Sequence, residues 1–195
     1  MNIRRLLLLC LVAPLVAATL IGCGSGGQQP PASAAPSPAE TPAASATAII
    51  EPCSGSDVAG TATFALQSDG QVNLTLDLTG LTPGEHAVHL HEFGDCSAED
   101  GSSAGGHWNP TGEDHGAWGT HPFHLGDIGN VTADDDGTAT FTLTTDLWTI
   151  GTGADDDVVG RAVIVHDGAD DYQTQPTGAA GGRVACGVVV ANEAH

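Results

Sequence analysis

The chain has 195 residues, of which 24 are acidic and only 4 basic, and its formal net charge is −20. That length holds one ordinary domain once a leader and a linker are subtracted. The acidic balance excludes nucleic acid as a natural partner, because phosphate binding requires basic side chains.

The first 22 residues predict a secretory signal peptide. Arg4 and Arg5 form a basic start, followed by an apolar run from Leu6 to Ile21 that contains Pro14. The run is short for a membrane span, so we expect it to be removed rather than retained as an anchor. The Arg-Arg pair is ordinary in such leaders, although it could also serve twin-arginine export. Removing both arginines lowers the net charge from −20 to −22.

The leader ends in the letters LIGC, a pattern typical of bacterial lipoproteins. It predicts cleavage before Cys23 and attachment of lipid to that cysteine. Residues 23–47 are rich in Ser, Gly, Pro and Ala, and this composition predicts a disordered tether. We therefore expect an extracytoplasmic protein anchored to a bacterial membrane, facing either the periplasm or the cell surface.

Residues 48–195 predict one all-β domain. The segment 58–67 alternates between apolar and polar residues, turns at Ser68-Asp69-Gly70 and returns over 72–78, which indicates a hairpin. Further strands are predicted over 138–144, 161–166 and 183–191. No segment has helical periodicity. Short strands separated by turns favour a sandwich or a barrel.

Metal-competent side chains are concentrated in the second half of the chain. His89 and His91 form a His-x-His pair, which on a strand places both rings on one face with Cα atoms roughly 6.5–7 Å apart. Alone, such a pair is more often two half-exposed strand residues. Here a Gly-rich, turn-rich stretch adds four more candidates, His107, His115, His124 and Asp127, and His166 follows later in the chain as the seventh. A bound metal could order a loop that has no long apolar run.

Counting the candidates suggests two metal sites. Zinc takes four N, O or S ligands in a tetrahedron, whereas copper(II) prefers a tetragonal nitrogen set. Seven side chains can make eight bonds only if one ligand is shared. An imidazole that has lost both ring protons can bridge two metals.

The motifs closely resemble those of the copper/zinc superoxide dismutase family. They are the segments AVHLHEFGD, GGHWNPTGEDH, FHLGDIGN, VIVHDGADD and GGRVACG, and the resemblance runs from about Val58 to Val190. It implies a flattened Greek-key barrel of about eight antiparallel strands. The metals would lie outside the barrel, held by two long loops at residues 92–131 and 167–182.

The resemblance also implies a complete ligand set for one copper ion and one zinc ion per chain. The implied copper ligands are His89, His91, His107 and His166. The implied zinc ligands are His107, His115, His124 and Asp127. His107 would be the bridge between the two metals.

Three outer positions match the family as well. Asp170 corresponds to a carboxylate that links a copper histidine, His89, to a zinc histidine, His115. Arg183 corresponds to the arginine that attracts and docks the anion, with Thr177 on the opposite rim of the channel. The alternative for Arg183 is an ordinary surface arginine.

The cysteines follow the same pattern. The resemblance implies a disulfide between Cys96 and Cys186, a bond that persists in oxidising compartments. Cys53 is left over, either as a buried free thiol or as an intermolecular partner.

Three histidines have no implied role as ligands. His86 matches a family histidine that makes structural hydrogen bonds. His121 and His195 match nothing, and we expect both to face solvent.

The function implied by the resemblance is superoxide dismutation. Copper would alternate between two oxidation states, and His107 would take and return a proton. One alternative is a non-catalytic extracytoplasmic lipoprotein that binds copper and zinc, and another is a structural or adhesive lipoprotein on an inactive scaffold. All ligands and the arginine are present, which favours the enzyme. A homodimer is compatible with the family, and the oligomeric state is open at this point.

Overall fold

The computed structural model describes residues 44–193, and the regular structure there is β-strand apart from one short 3-10 turn. The all-β prediction is confirmed. The predicted signal peptide, Cys23, most of the predicted tether and His195 lie outside the described residues. Within residues 44–193, no helix is long and apolar enough to cross a membrane.

Nine strands follow one another in the described range, and the last has only two residues. They are β1 Ser45–Pro52, β2 Ala59–Leu66, β3 Val72–Thr79, β4 Gly84–His91, β5 Gly129–Ala133, β6 Ala139–Thr145, β7 Ala162–His166, β8 Arg183–Val188 and β9 Val190–Ala191. The 3-10 turn, Ser102–Ala104, lies in the long connection between β4 and β5.

The strands form a nearly closed antiparallel barrel. Their order is β5-β4-β7-β8-β1-β2-β3-β6, with β9 beside β1. Because β4 pairs with β7 and β1 joins β8 to β2, the connections skip neighbours in the manner of a Greek key. The end strands β5 and β6 are in contact, which nearly closes the barrel. The predicted Greek-key barrel of about eight strands is confirmed.

Alternation along the strands builds the core. In β3, the residues at positions 72, 74, 76 and 78 are buried and their neighbours are not. Each buried Leu of this kind stabilises the fold by roughly 1.5–3 kcal/mol. Phe64 meets the edge of Trp148 at 5.9 Å between ring centroids, and the Trp148 indole N–H donates to the Leu125 carbonyl at 2.9 Å.

Two predicted boundaries need correction. The tether was expected to continue to Thr47, but β1 begins at Ser45. Ala46 and Ala48 are fully buried and pair with β2, so these small side chains serve as core residues although their composition resembles a linker. The first long loop ends earlier than expected, because β5 begins at Gly129, inside the predicted range 92–131.

The cysteines explain how the first long loop is attached to the barrel. Cys96 and Cys186 form a disulfide with 5.8 Å between their Cα atoms, as predicted. It joins the β4–β5 connection to β8 and indicates an oxidising environment. Cys53 is a buried free thiol, which agrees with the first of the two alternatives. Its Sγ lies 3.2 Å from the Arg183 carbonyl oxygen, to which it donates.

Candidate metal centre

Strand β4 brings the first two histidines together. His89 and His91 are fully buried on the same side of β4, with 6.5 Å between their ring centroids. Their backbones pair with Ile164 and Ala162 of β7. The antiparallel ladder therefore fixes both Cα positions independently of any metal.

The neighbouring strand β7 ends in His166. Its pairing with β8 is irregular between Val165 and His166, and the His166 ring lies 5.0 Å from the ring of His89 and 5.8 Å from that of His91. An irregularity of this kind can re-aim a side chain at a strand end. His166 thus joins the β4 pair at one end of the strands.

His107 reaches the same place from the long β4–β5 connection. This connection folds back on β4: Trp108 donates its N–H to the Leu90 carbonyl at 2.8 Å, and His107 forms an isolated bridge with His91. The His107 ring lies 4.0 Å from the His89 ring and 5.1 Å from the His91 ring. His107 belongs to a loop, but its backbone position is therefore fixed by contacts with β4.

The first four histidines form one potential ligand set. The ligand atoms of His89, His91, His107 and His166 all lie within 4.8 Å of one another. In each ring, one nitrogen contacts the protein: His89 Nε2 meets Asp170 at 2.9 Å, His91 Nδ1 meets the Gly105 carbonyl at 3.0 Å, and His107 Nδ1 meets Asp127 at 2.8 Å. His166 Nδ1 faces the Gly181 carbonyl at 3.5 Å.

The remaining nitrogen of each ring in this set is buried without a hydrogen-bond partner. These atoms are His89 Nδ1, His91 Nε2, His107 Nε2 and His166 Nε2. Buried polar atoms are rarely left unpaired, and four converging on one point form a nitrogen set suited to a metal such as copper.

A second set lies on the other side of His107. It consists of His107, His115, His124 and Asp127, whose ligand atoms also lie within 4.8 Å of one another. The Asp127 carboxylate lies 2.8 Å from His107 Nδ1 and 3.1 Å from Nδ1 of both other histidines. It also accepts the backbone N–H groups of His124 and Gly116. Three imidazoles and one carboxylate are a donor set that zinc accepts.

Three rings of the first set are neutral imidazoles at neutral pH. Burial lowers the pKa of His91 to about 2, that of His107 to about 4 and that of His166 to about 3, and neighbouring charges assist at His91 and His166. At His107, Asp127 opposes burial without overcoming it. All three rings therefore offer lone pairs at neutral pH, as metal binding requires.

Two ionised carboxylates, Asp127 in the second set and Asp170 beside it, place negative charge at the second site. Burial would raise the pKa values of Asp127 and Asp170, but hydrogen bonds from histidines hold both well below the usual range. Burial would lower the pKa of His115, but bonds to these two carboxylates outweigh it and raise the value to about 9. The site thus attracts a positive charge, and a metal ion would replace the proton.

Comparison with known proteins agrees with this geometry. The model of the copper/zinc superoxide dismutase family matches residues 58–189. The chain belongs to that family. A solved structure titled as the clock protein EA4 is similar to it, with 38% identity and a TM-score of 0.68, over 77% of this chain and 96% of the other.

Asp170 lies between the two ligand sets. Its two carboxylate oxygens lie 2.9 Å from His89 Nε2 and 2.9 Å from His115 Nε2, so one fully buried side chain touches a residue of each set. Asn130 holds the Asp170 backbone at both its N–H and its carbonyl. Gly178 packs so closely that a Cβ there would overlap the Asp170 carboxylate.

Arg183 lies across the β7–β8 ladder from His166. Its two terminal nitrogens donate to the carbonyls of Gly101 and Gly105, both at 2.6 Å. The Gly105 carbonyl also accepts from His91 Nδ1. One loop carbonyl therefore ties the arginine to a histidine of the first set, and burial lowers the pKa of Arg183 without removing its charge.

The rim of the site is polar. Thr177 lines a pocket together with His107 and His124, and the acidic residues Glu113 and Asp114 line the same pocket. The structure thus places Thr177 on the side of His107 that faces the second set.

Two other histidines of the described residues, His86 and His121, belong to neither ligand set. His86 is buried and contacts the carbonyls of His166 and Thr82, both at 2.8 Å, so it is a structural residue. His121 is exposed and pairs with Glu113. Both agree with the sequence-based expectation.

Sequence reasoning missed several groups that hold the site in place. They are the carbonyls of Gly101 and Gly105, the side chains of Asn130 and Gln175, and the close approach at Gly178. A backbone carbonyl has no side-chain signature, so the sequence contained no signal for the first two. Asn130 and Gln175 stand among other polar loop residues that look the same.

Proposed function

We propose that this protein is a superoxide dismutase that converts two superoxide anions and two protons into O₂ and H₂O₂, with one copper ion and one zinc ion per chain. One observation carries the proposal: two four-residue sets share His107, whose Nδ1 faces one set while its unpaired Nε2 faces the other. Family membership supports the reaction class.

The donor atoms divide cleanly between the two metals. Copper would be held by the unpaired nitrogens of His89, His91, His107 and His166. Zinc would be held by Nδ1 of His107, His115 and His124 and by the Asp127 carboxylate. When bound, copper supplies one-electron oxidation and reduction, while zinc supplies fixed charge and order.

The chain's own residues would bind the anion and handle the proton. The Arg183 guanidinium has five N–H donors, of which the two loop carbonyls use two, so donors remain for a small anion. His107 would hold and release a proton at Nε2. Asp170 would keep His89 and His115 in the tautomers that leave their Nδ1 atoms free.

So acidic a protein must attract an anion through positive charge that lies close to the site. The chain from Cys23 onward has a formal charge of −22, and Glu113 and Asp114 stand at the rim. At physiological ionic strength the Debye length is roughly 8 Å, so salt weakens the repulsion from distant carboxylates first. Arg183 donates its hydrogen bonds to neutral carbonyls, and although the charge of Asp100 acts on it from nearby, the two form no ion pair within residues 44–193, so Arg183 would still be able to bind the anion.

The proposal can be tested by superoxide turnover with metals added singly and together. We expect activity to require copper, and Arg183→Glu to reduce the rate constant about tenfold or more, which corresponds to about 1.4 kcal/mol. The control is the double variant Gln67→Glu/Ser68→Asp in the exposed β2–β3 turn, which changes the total charge equally. If both variants lose the same activity, global charge governs capture and Arg183 is not the docking residue.

Turnover also separates the enzyme from the alternative, a non-catalytic extracytoplasmic lipoprotein that binds copper and zinc. That protein would use the same ligands, so metal content alone does not distinguish the two. A fully loaded protein without superoxide turnover would establish the alternative.

We further propose that the protein acts outside the cytoplasm, anchored to a bacterial membrane through lipid on Cys23. The Cys96–Cys186 disulfide supports an oxidising compartment, and the signal-like leader supports export. Superoxide is its proposed small-molecule partner. A homodimer remains part of the proposal, to be tested by light scattering.

A further inference from the structure

One exposed side chain in the β7–β8 connection is bonded to a residue of the candidate zinc set. The Gln175 amide oxygen accepts the backbone N–H of His115 at 2.8 Å, and its amide nitrogen donates to the His115 carbonyl at 2.9 Å. The two bonds join residues 60 positions apart in the sequence. One planar amide therefore binds both the N–H and the carbonyl of the His115 backbone.

His115 has little other backbone support. Residues 112–117 have no regular secondary structure, in contrast to His89 on β4 or His166 on β7. The His115 ring is oriented by Asp170 at Nε2 and faces Asp127 at Nδ1. Asp170 and Gln175 belong to the same connection, so this segment holds His115 by its ring and by its backbone.

We propose that Gln175 is a positioning residue for the candidate zinc site. By fixing the backbone of His115, it directs Nδ1 toward Asp127 and the other two histidines of the set. Gln175 is followed two residues later by Thr177, so it also ties this rim segment to the set. The inference rests on the proposed binding of zinc by His107, His115, His124 and Asp127.

A positioning role and a purely structural role for Gln175 predict different effects of removing its amide, and the positioning role predicts the following. Gln175 is exposed on the surface and belongs to no buried cluster among the described residues. Replacing its amide should therefore leave the stability of the metal-free fold unchanged. What should change is the geometry and affinity of the zinc set, because outer partners of metal ligands typically alter affinity 10–100-fold.

The test compares Gln175→Met, which keeps the length of the side chain but has no amide, with the control Gln173→Met in the same connection. The Gln173 side chain makes no hydrogen bond within residues 44–193. Each protein is titrated with zinc against a competing chelator, with copper in the same way, and with Co²⁺ as a spectroscopic probe of a four-coordinate site. Thermal unfolding is recorded without metal.

For Gln175→Met we expect about tenfold weaker zinc binding, an altered Co²⁺ visible spectrum, copper affinity within about twofold of the native value and an unchanged metal-free melting temperature. The control should match the native protein. Equal zinc affinity and spectra in both variants would refute the positioning role while leaving the proposed function intact. A lowered metal-free melting temperature with normal zinc affinity would also refute it, in favour of a structural role. A native protein that binds no zinc at this set would refute the proposed function, and the inference with it.

Discussion

Removing the carboxylate that touches both ligand sets should affect the two sets unequally. In Asp170→Ala, His89 Nε2 and His115 Nε2 each lose an acceptor at 2.9 Å, and the backbone N–H of Tyr172 loses one at 2.7 Å. His89 lies on β4, where pairing with β7 fixes its backbone. His115 lies in a segment without regular structure, so it should move more.

The magnitude follows from the burial of these bonds. The side chains of Asp170 and both histidines are 0% exposed, so water does not replace the lost acceptor without a cavity forming. Hydrogen bonds to charged groups contribute about 1.5–3 kcal/mol each. We expect zinc affinity to fall about 10–100-fold, or about 1.4–2.8 kcal/mol, and copper affinity to fall less.

The measurement is competitive titration of each metal against a chelator, with Asp171→Ala as the matched control. Asp171 carries the same charge one position away, but within residues 44–193 its carboxylate accepts only from Gln173 and Thr174 in its own turn. A copper affinity that falls more than the zinc affinity would show that strand position does not protect His89. Equal affinities in both variants would show that the Asp170 carboxylate does not support either set.

Three further predictions concern other parts of the molecule. Cys96→Ser should lower superoxide turnover, because the disulfide attaches the loop whose carbonyls hold Arg183 to β8. It should also lower the free energy of unfolding, by at most roughly 4–5 kcal/mol from chain entropy, because the disulfide closes a loop of 90 residues. A reduced protein with full turnover would contradict this. Asp157→Ala should lower the free energy of unfolding by about 1–3 kcal/mol at pH 7, because its buried carboxylate accepts the N–H groups of residues 151, 153 and 159. Burial would raise the pKa of Asp157, but these bonds lower it below 3.8, so the contribution is present above pH 3.8 and lost as pH falls through the lower folded value. Chemical denaturation at pH 7 and at about pH 3 should therefore show the difference shrinking, and a difference that stays constant would refute the assignment. Mass spectrometry should find the mature chain starting at a lipidated Cys23, whereas a soluble product with an unmodified Cys23 would exclude the anchor.

The candidate ligand side chains could be predicted because their chemistry is visible in the sequence. A His-x-His pair on a strand fixes one face, as His89 and His91 show. The histidines and aspartate of the Gly-rich stretch could serve few other purposes at such density. The disulfide followed from the resemblance, and the strands from their alternation.

Other parts of the fold and site could not be predicted, for physical reasons. Ser45–Ala48 resembles a linker because its residues are small, and only the pairing of this part of β1 with β2 and β9 makes Ala46 and Ala48 core residues. The amide of Gln175 is one of several polar groups in a turn-rich segment. Its two bonds to His115 depend on a contact between residues 60 positions apart, which no local pattern encodes.

The position of Arg183 explains how so acidic a protein could bind the proposed anionic substrate. The 3-10 turn Ser102–Ala104 packs Ala104 against β7 and the disulfide, and the two carbonyls that bind the guanidinium flank this turn at Gly101 and Gly105. The Gly105 carbonyl binds His91 as well, so the cation and the first ligand set are placed by the same backbone atom. A carboxylate partner would have neutralised Arg183, whereas carbonyls hold it without neutralising it, so its charge could serve the proposed anionic substrate. Substitutions on the outer surface can therefore make the protein strongly negative while the local arrangement around Arg183 stays the same.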